Sequence, residues 1–387
     1  MKLFIKTFKG LEEILAEEVR SLGGKHVRIE KRGVSCEGDK RFMYKCNLQL
    51  RTALRVLIPV EEYIVHTERD FYRKMKKVNW AEYMDINQTF AIDSVVNSRA
   101  FNHSKFIALR AKDALVDQFR EQYDMRPNVD VNHPEVRFNI HIAEKKVIVS
   151  LDSSGYSLHK RGYRTERHVA PINEALAAGL VLQTGWNGSS PFVDPMCGSG
   201  TIAVEAALIA KNRAPRLYSE SLGFTKWNDF DEEMWKDVKE EAVDGEREIK
   251  VSIKGGDLSQ DYVEMAQRSV SRMKLESDVE IKHLSFFDAV GEENGGLMIS
   301  NPPYGERLDD NNDEIEAFYK KIGDQMKTNF KGYSAWIISS NMQALKCVGL
   351  KPKRKIPLMN GALECKVHQY ELYAGTRKIR PASEEEN

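Results

Sequence analysis

The sequence predicts an α/β chain: a doubly wound, mainly parallel sheet in the C-terminal part, preceded by two smaller α+β modules. Three observations predict it. From about Ala170 onward helix-type and strand-type segments alternate, which implies a parallel sheet with helices on both faces. A glycine turn, Cys197-Gly-Ser-Gly200, joins the apolar run Pro191 to Val193 to an apolar helix over Thr201 to Ala210. Ahead of Ala170 the strands alternate apolar and polar residues, so each sheet there has one wet face. At 387 residues the chain is too long for one core, and the pattern divides it into 1–65, 66–160 and 161–378, with a polar tail over 379–387.

The first module reads as a strand (Lys2 to Thr7) and a helix carrying Leu11, Ile14, Leu15, Val19 and Leu22 at helical spacing, stopped by Gly23-Gly24. Strands near His26 to Ile29 and Val34 to Cys36, a helix near Arg41 to Leu50 and a strand near Arg55 to Ile64 complete a βαββαβ unit. The second module has a helix through Phe106, Leu109, Ala114, Leu115 and Phe119, then the strands Val136 to Ile142 and Val147 to Leu151 around a turn at Ala143 to Lys146. In the third, strands are expected at Pro191 to Asp194, Ile249 to Lys254, Val279 to Leu284, Leu297 to Ser300, Ser334 to Ser339, Pro352 to Ile356 and Lys366 to Tyr373, with a helix over Ser259 to Met273. The acidic interval Asp229 to Glu248 interrupts this rhythm and reads as a solvated helix or insertion.

Composition excludes several classes. The 58 basic and 58 acidic side chains cancel, so any nucleic-acid surface must be a local patch. Five cysteines without a CxxC pair or metal-type spacing read as reduced thiols, with no metal site expected. No stretch has the length and apolarity of a membrane span or signal peptide, and a cytoplasmic location is the expectation.

Chemistry concentrates at the predicted carboxyl ends of the parallel strands. Gly198 and Gly200 allow backbone angles and close approaches that a Cβ forbids, with the Ser199 and Thr201 hydroxyls at the helix start. Asp194 precedes that loop, Asp257 follows the next strand, and Asp288 follows Phe286-Phe287. Three carboxylates thus line the edge where open α/β sheets bind ligands. Asp257 suits two ribose hydroxyls or a helix cap, and Asp288 an adenine amino group or solvent. Such an edge also fits a dinucleotide dehydrogenase; the next strand decides. Leu297 to Ser300 runs straight into Asn301-Pro-Pro-Tyr304, where two prolines remove N–H donors. The Asn301 side-chain oxygen and Pro302 carbonyl remain as acceptors, and Tyr304 as a ring to stack on a flat base. That constellation suits methyl transfer to an aromatic NH2. Two acceptors on its hydrogens favour the pyramidal geometry that frees its lone pair, and in-line positioning supplies much of the acceleration.

A basic and aromatic joint, Tyr156 to His168, holds Lys160, Arg161, Arg164 and Arg167 with Tyr163. A second cluster is Arg99, His103, Lys105 and Arg110. Both suit phosphates and bases, and equally a charged linker and a solvated helix face.

On these residues the chain resembles the THUMP-domain class I methyltransferases that modify RNA guanines at N2. The resemblance runs through Leu158-His-Lys-Arg-Gly-Tyr-Arg164, Ala170-Pro-Ile-Asn-Glu-Ala175, the glycine loop and Asn301-Pro-Pro-Tyr304. It implies a Rossmann-like methyltransferase domain preceded by ferredoxin-like and THUMP modules, with S-adenosylmethionine held by Asp194, Gly198, Gly200, Asp257 and Asp288. Asn173, Cys197, Ser199, Thr201 and Leu258 complete the implied cofactor set. Asn301, Pro302, Pro303 and Tyr304 would be catalytic, and the partner RNA, either ribosomal or a ribosomal precursor. The alternatives are a tRNA guanine-N2 enzyme, an adenine-N6 methyltransferase of RNA or DNA, and a catalytically silent RNA-binding assembly factor.

Overall fold

The computed structural model describes residues 1–101, 103–164, 172–219, 222–303, 312–361 and 363–373. The chain forms two compact units, Met1–Gly162 with Arg213–Gly245, and Tyr163–Asn212 with Glu246–Asn387.

The first unit begins β1 (Lys2–Lys6), α1 (Glu12–Ser21), β2 (Lys25–Glu30), β3 (Gly33–Glu37), α2 (Lys40–Gln49) and β4 (Arg55–Ile64). It continues α3 (Glu68–Met75), β5 (Phe90–Asn97), α4 (Ser104–Tyr123), β6 (Val136–Ala143) and β7 (Lys146–Asp152). All seven strands form one sheet in the order β2-β3-β1-β4-β7-β6-β5. The ten-residue β4 is the shared element: it pairs with β1 along Arg55 to Leu57 and with β7 from Leu57 to Ile64. Alternation sends Leu3, Ile5, Val34 and Val56 into a core with Leu15, Val19 and Leu48, and Phe138, Ile140, Val147 and Val149 into a second with Phe71, Leu115 and Phe119.

Two local readings change. In α4 the buried stripe is Ile107, Ala111, Ala114, Leu115 and Phe119, while Phe106 and Leu109 are exposed, one and two positions off its phase. Charged α3 shows its helical period only in the pair Phe71 and Met75, and β5 breaks its apolar run with Asp93 and Ser94, so neither element stands out in the sequence.

The second unit holds α5 (Glu174–Gln183), β8 (Phe192–Asp194) and α6 (Thr201–Ala210). After the segment Arg213–Gly245, which contains α7 (Glu232–Asp244), come β9 (Ile253–Asp257), α8 (Gln260–Arg272), β10 (Glu280–His283) and β11 (Gly296–Ser300). Then follow α9 (Asn312–Asn329), β12 (Tyr333–Ser339), α10 (Met342–Cys347), β13 (Arg354–Asn360) and β14 (Leu363–Glu371). The sheet order is β10-β9-β8-β11-β12-β14-β13, parallel from β10 to β12, with β14 and β13 antiparallel. Strand order reverses at β8, which has β9 on one side and β11 on the other, and that crevice is where open sheets take ligands. All ten residues of α6 are buried, eight of them apolar, with Thr201 at its start and Glu205 at its middle taken into the interior as well.

Arg213–Gly245 belongs to the first unit. Ala214, Phe224, Val238 and Ala242 join its core, and Phe224 stacks on Tyr44 with ring centroids 4.3 Å apart. The acidic interval is therefore a docked amphipathic helix whose outer Glu241 meets Arg41 at 2.9 Å and Lys45 at 2.5 Å. Arg216 anchors the segment by donating to the Asn47, Leu50 and Leu158 carbonyls. Among the described residues no helix is long and apolar enough to cross a membrane.

Candidate active site

β8 is short, and the chain leaves it through Pro195 to Gly200 with Gly198 at φ 53° and Gly200 at φ 77°. Those angles lie in the left-handed region, where glycine costs least. At Gly200 packing adds a second demand, because a Cβ there would come within 2.9 Å of the Ala266 Cβ on α8. At Gly198 nothing lies within 4 Å of where a Cβ would stand, so that side of the loop faces open space.

Two bonds moor the loop to β9. The Cys197 N–H donates to the Gly256 carbonyl at 2.9 Å, and the Gly198 N–H to Asp257 Oδ2 at 2.9 Å. The other Asp257 oxygen accepts from the Ser259 N–H at 3.0 Å. Ser259, not Asp257, occupies the N-cap position of α8, and the carboxylate instead ties the glycine loop to the start of that helix. Its remaining lone pairs are available to hydroxyls.

Asp194 differs in kind. It is fully buried, and neither carboxylate oxygen completes a hydrogen bond among the described residues. Burial pushes its pKa well up, the Asp257 charge pushes it further, and the Met196 backbone N–H beside it, outside full hydrogen-bond geometry, opposes both. A buried carboxylate without a partner at the end of the central strand fits a cationic ligand group such as an amino acid ammonium. Cys197 is also buried and its thiol pKa is pushed well up, first by burial, then by Asp194 and Asp257, so it lines the loop as a neutral group. The buried Ser199 and Thr201 hydroxyls lie 3.4 Å apart.

Beyond β9 and β10 the edge turns apolar. Leu258 is 74% exposed and Phe287 38%, unusual exposures that leave a hydrophobic face open to a planar ring. His283 Nε2 lies 2.8 Å from the Leu258 carbonyl and fixes that turn. Asp288 is exposed on the short turn Phe286–Asp288, where the Ser285 hydroxyl accepts from the Phe287 N–H at 3.2 Å. His283 and Ser285 went unread in the sequence, although a serine opening a turn before an exposed aromatic is a legible signal.

On the other side of β8, β11 delivers Asn301. Its side-chain oxygen is buried and unpartnered among the described residues, followed by buried Pro302 and half-buried Pro303. Tyr304 lies outside the described residues. Asn173 caps α5, its side-chain oxygen accepting from the Ala175 N–H at 2.9 Å and the Leu176 N–H at 3.4 Å, which leaves its amide nitrogen for any ligand.

The joint is corrected. Arg161 is 1% exposed and donates to the Leu158 and Arg51 carbonyls, so it braces the first unit and does not face solvent. Arg164 bonds the Ile172 carbonyl at 3.1 Å and pairs with Glu174 at 3.4 Å. Tyr163 is fully buried, its hydroxyl donating to Glu205 at 3.0 Å. Lys160 stays exposed, and Arg167 lies outside the described residues. In the second cluster Arg99, His103 and Lys105 are exposed, while Arg110 is half-buried with its guanidinium 4.6 Å from the Tyr72 ring centroid. Among the described residues no group of three or more His, Cys, Asp or Glu side chains is arranged to hold a metal.

Residues 161–369 match the model of the RMKL-like methyltransferase domain. The chain belongs to that methyltransferase family. Residues 2–57 match the RlmL ferredoxin-like domain and residues 65–152 the THUMP domain, so the three-module architecture expected from the sequence is present. S-adenosylmethionine is the methyl donor. Among relatives, a candidate RNA methyltransferase of Synechocystis sp., slr0064, is 37% identical over 371 residues, covering 96% of each chain. The ribosomal RNA large subunit methyltransferase K/L of Syntrophotalea carbinolica is 37% identical over 384 residues, and the match spans 96% of this chain but 54% of that protein. A crystal structure of SMU.472, a candidate methyltransferase complexed with SAH, superposes with a TM-score of 0.87 at 30% identity over 97% of this chain and 99% of that one.

Proposed function

We propose that this RMKL-like methyltransferase converts a guanine of large-subunit ribosomal RNA to N2-methylguanosine. The carrying observation is the Asn301 side-chain oxygen, buried and unpartnered at the carboxyl end of β11, across the strand-order reversal from Asp194. A buried amide acceptor without a donor costs stability unless a ligand completes it, and an exocyclic amine is the donor that fits. The name of the Syntrophotalea relative supports ribosomal RNA as the class of substrate.

In this reading Asp194 holds the ammonium of the methyl donor and Asp257 its ribose hydroxyls, with Asp288 and the Phe287 ring at the adenine. When bound, the donor supplies a sulfonium-activated methyl group. Asn301 and the Pro302 carbonyl accept the two hydrogens of the guanine amine and hold its lone pair along the line of transfer. The prolines contribute stiffness, and Tyr304 a stacking face. A guanine within a helix must first be unstacked to reach them.

The test is to incubate the protein and methyl-labelled S-adenosylmethionine with rRNA, tRNA or DNA from cells lacking the gene, then identify the labelled nucleoside by mass spectrometry. N2-methylguanosine in large-subunit rRNA is the expected result. The same nucleoside in tRNA moves the target, N6-methyladenosine overturns the base, and no label in any pool favours a silent assembly factor.

A further inference from the structure

The first unit carries a cavity of about 500 Å³ along α4, and of the cluster read as an RNA surface in the sequence it takes in Arg110. That volume lies in the range of small-molecule sites. Four cations line it, and they divide into two sets. Lys112 pairs with Asp113 at 2.7 Å and Arg120 with Asp117 at 3.8 Å. Arg110 and Arg126 have no carboxylate within ion-pair distance among the described residues.

Arg110 is held ready. One face of its guanidinium lies over Tyr72, 4.6 Å from the ring centroid, and the Tyr72 hydroxyl donates to Asp117 at 2.5 Å. The aromatic ring thus occupies one side of the plane and leaves the other side and the N–H edges for a ligand. Across the cavity Arg126 is followed by Pro127, and the next residues are tied down. The Phe90 N–H donates to the Asn128 carbonyl at 3.0 Å, and the Asp130 N–H to the Phe90 carbonyl at 3.0 Å. Between those bonds Val129 stands 48% exposed and supplies an apolar wall.

We propose that this cavity holds one unpaired nucleotide of the RNA substrate, its phosphate between Arg110 and Arg126 and its base stacked on the outer face of Arg110 against Val129. The proposal rests on the reading of the chain as an RNA methyltransferase. A base is available to such a stack only where the strand is unpaired, so the site distinguishes single-stranded RNA from duplex.

The experiment compares fluorescence anisotropy of a labelled oligouridylate of about ten nucleotides and a blunt RNA duplex, across a salt series, for the intact protein and for Arg110→Gln combined with Arg126→Gln. Oligouridylate affinity is expected to fall about tenfold and the salt slope to lose about two phosphate contacts, with duplex binding unchanged. Arg110→Lys keeps the salt slope yet weakens binding severalfold, because an ammonium has no plane to stack on. Equal weakening for duplex reduces the site to a general basic surface and overturns the proposal, as does unchanged or undetectable oligouridylate binding. Free uridine monophosphate binding as tightly as the oligomer overturns it in favour of a nucleotide pocket. Calorimetric binding of S-adenosylhomocysteine and methylation of rRNA by the same variants report on the catalytic reading separately. If both persist while oligouridylate binding does not change, only the cavity assignment fails.

Discussion

Two fully buried ionisable groups, Arg161 and Asp194, mark opposite uses of burial. Arg161 in the first unit spends its guanidinium on the carbonyls of Leu158 and Arg51. Asp194 in the second sits at the end of β8 with neither oxygen bonded. A buried ionisable group whose hydrogen bonds are satisfied within the chain is part of the scaffold, whereas one left unsatisfied carries a cost that protonation or a ligand relieves. By the same criterion Asn301 sides with Asp194 and is the residue whose loss should cost most.

Asn301→Ala should lower methyl transfer about a thousandfold, the scale found when a positioned polar group at a reacting centre is removed. Affinity for S-adenosylhomocysteine and for RNA should stay within about twofold. A variant that retains a tenth of parental activity would move Asn301 from the chemistry to the turn.

Arg161→Leu should cost about 3 kcal/mol of stability, because backbone carbonyls lose their donor while the cavity refills only in part. Thermal or urea unfolding measures it. RNA affinity of the folded fraction should not change, and a selective loss of RNA binding at unchanged stability would restore Arg161 to the RNA surface.

Asp194→Asn should weaken S-adenosylmethionine binding about tenfold, since an amide cannot offset an ammonium charge. The ligand-free protein should respond in the reverse sense. The folded pKa of Asp194 lies well above its ordinary 3.8, so folding favours the protonated acid, and the benefit is lost as pH rises through the folded pKa. Parent and variant should therefore melt together below about pH 4, with the variant more stable towards neutrality. A constant difference at every pH would mean that Asp194 does not titrate in the fold.

The sequence made the glycine turn and the strand ends of the candidate site legible because they are built from backbone geometry. Gly198 and Gly200 are demanded by left-handed angles, Pro302 and Pro303 remove backbone donors, and α6 is apolar at eight of its ten positions. Side-chain direction was not legible in the joint. An arginine that braces carbonyls has the same one-dimensional signature as one that meets phosphate, and only the fold separates Arg161 and Arg164 from Lys160. The path of the chain was equally hidden. Arg213–Gly245 interrupts the α/β rhythm, yet its membership of the first unit depends on Phe224 meeting Tyr44 and Arg216 meeting three distant carbonyls, contacts that no local period encodes. The phase of α4 went astray for a related reason, since Phe106 and Leu109 are apolar residues that the helix leaves outside.

The smallest expected effect makes the sharpest test of the comparison, because it concerns adjacent residues. Lys160 and Arg161 have equal claims in sequence; in the fold Lys160 is exposed and Arg161 is 1% exposed. If burial decides role, Lys160→Ala should leave stability within about 0.5 kcal/mol, as exposed substitutions do. It should weaken RNA binding about twofold and reduce the salt slope by at most about one phosphate contact. Anisotropy with rRNA fragments across a salt series reads both quantities. A tenfold loss from Lys160 alone would show that one exposed cation carries the joint's whole contribution to RNA, and no change at all would leave the joint as a brace whose charges serve the protein's own carbonyls.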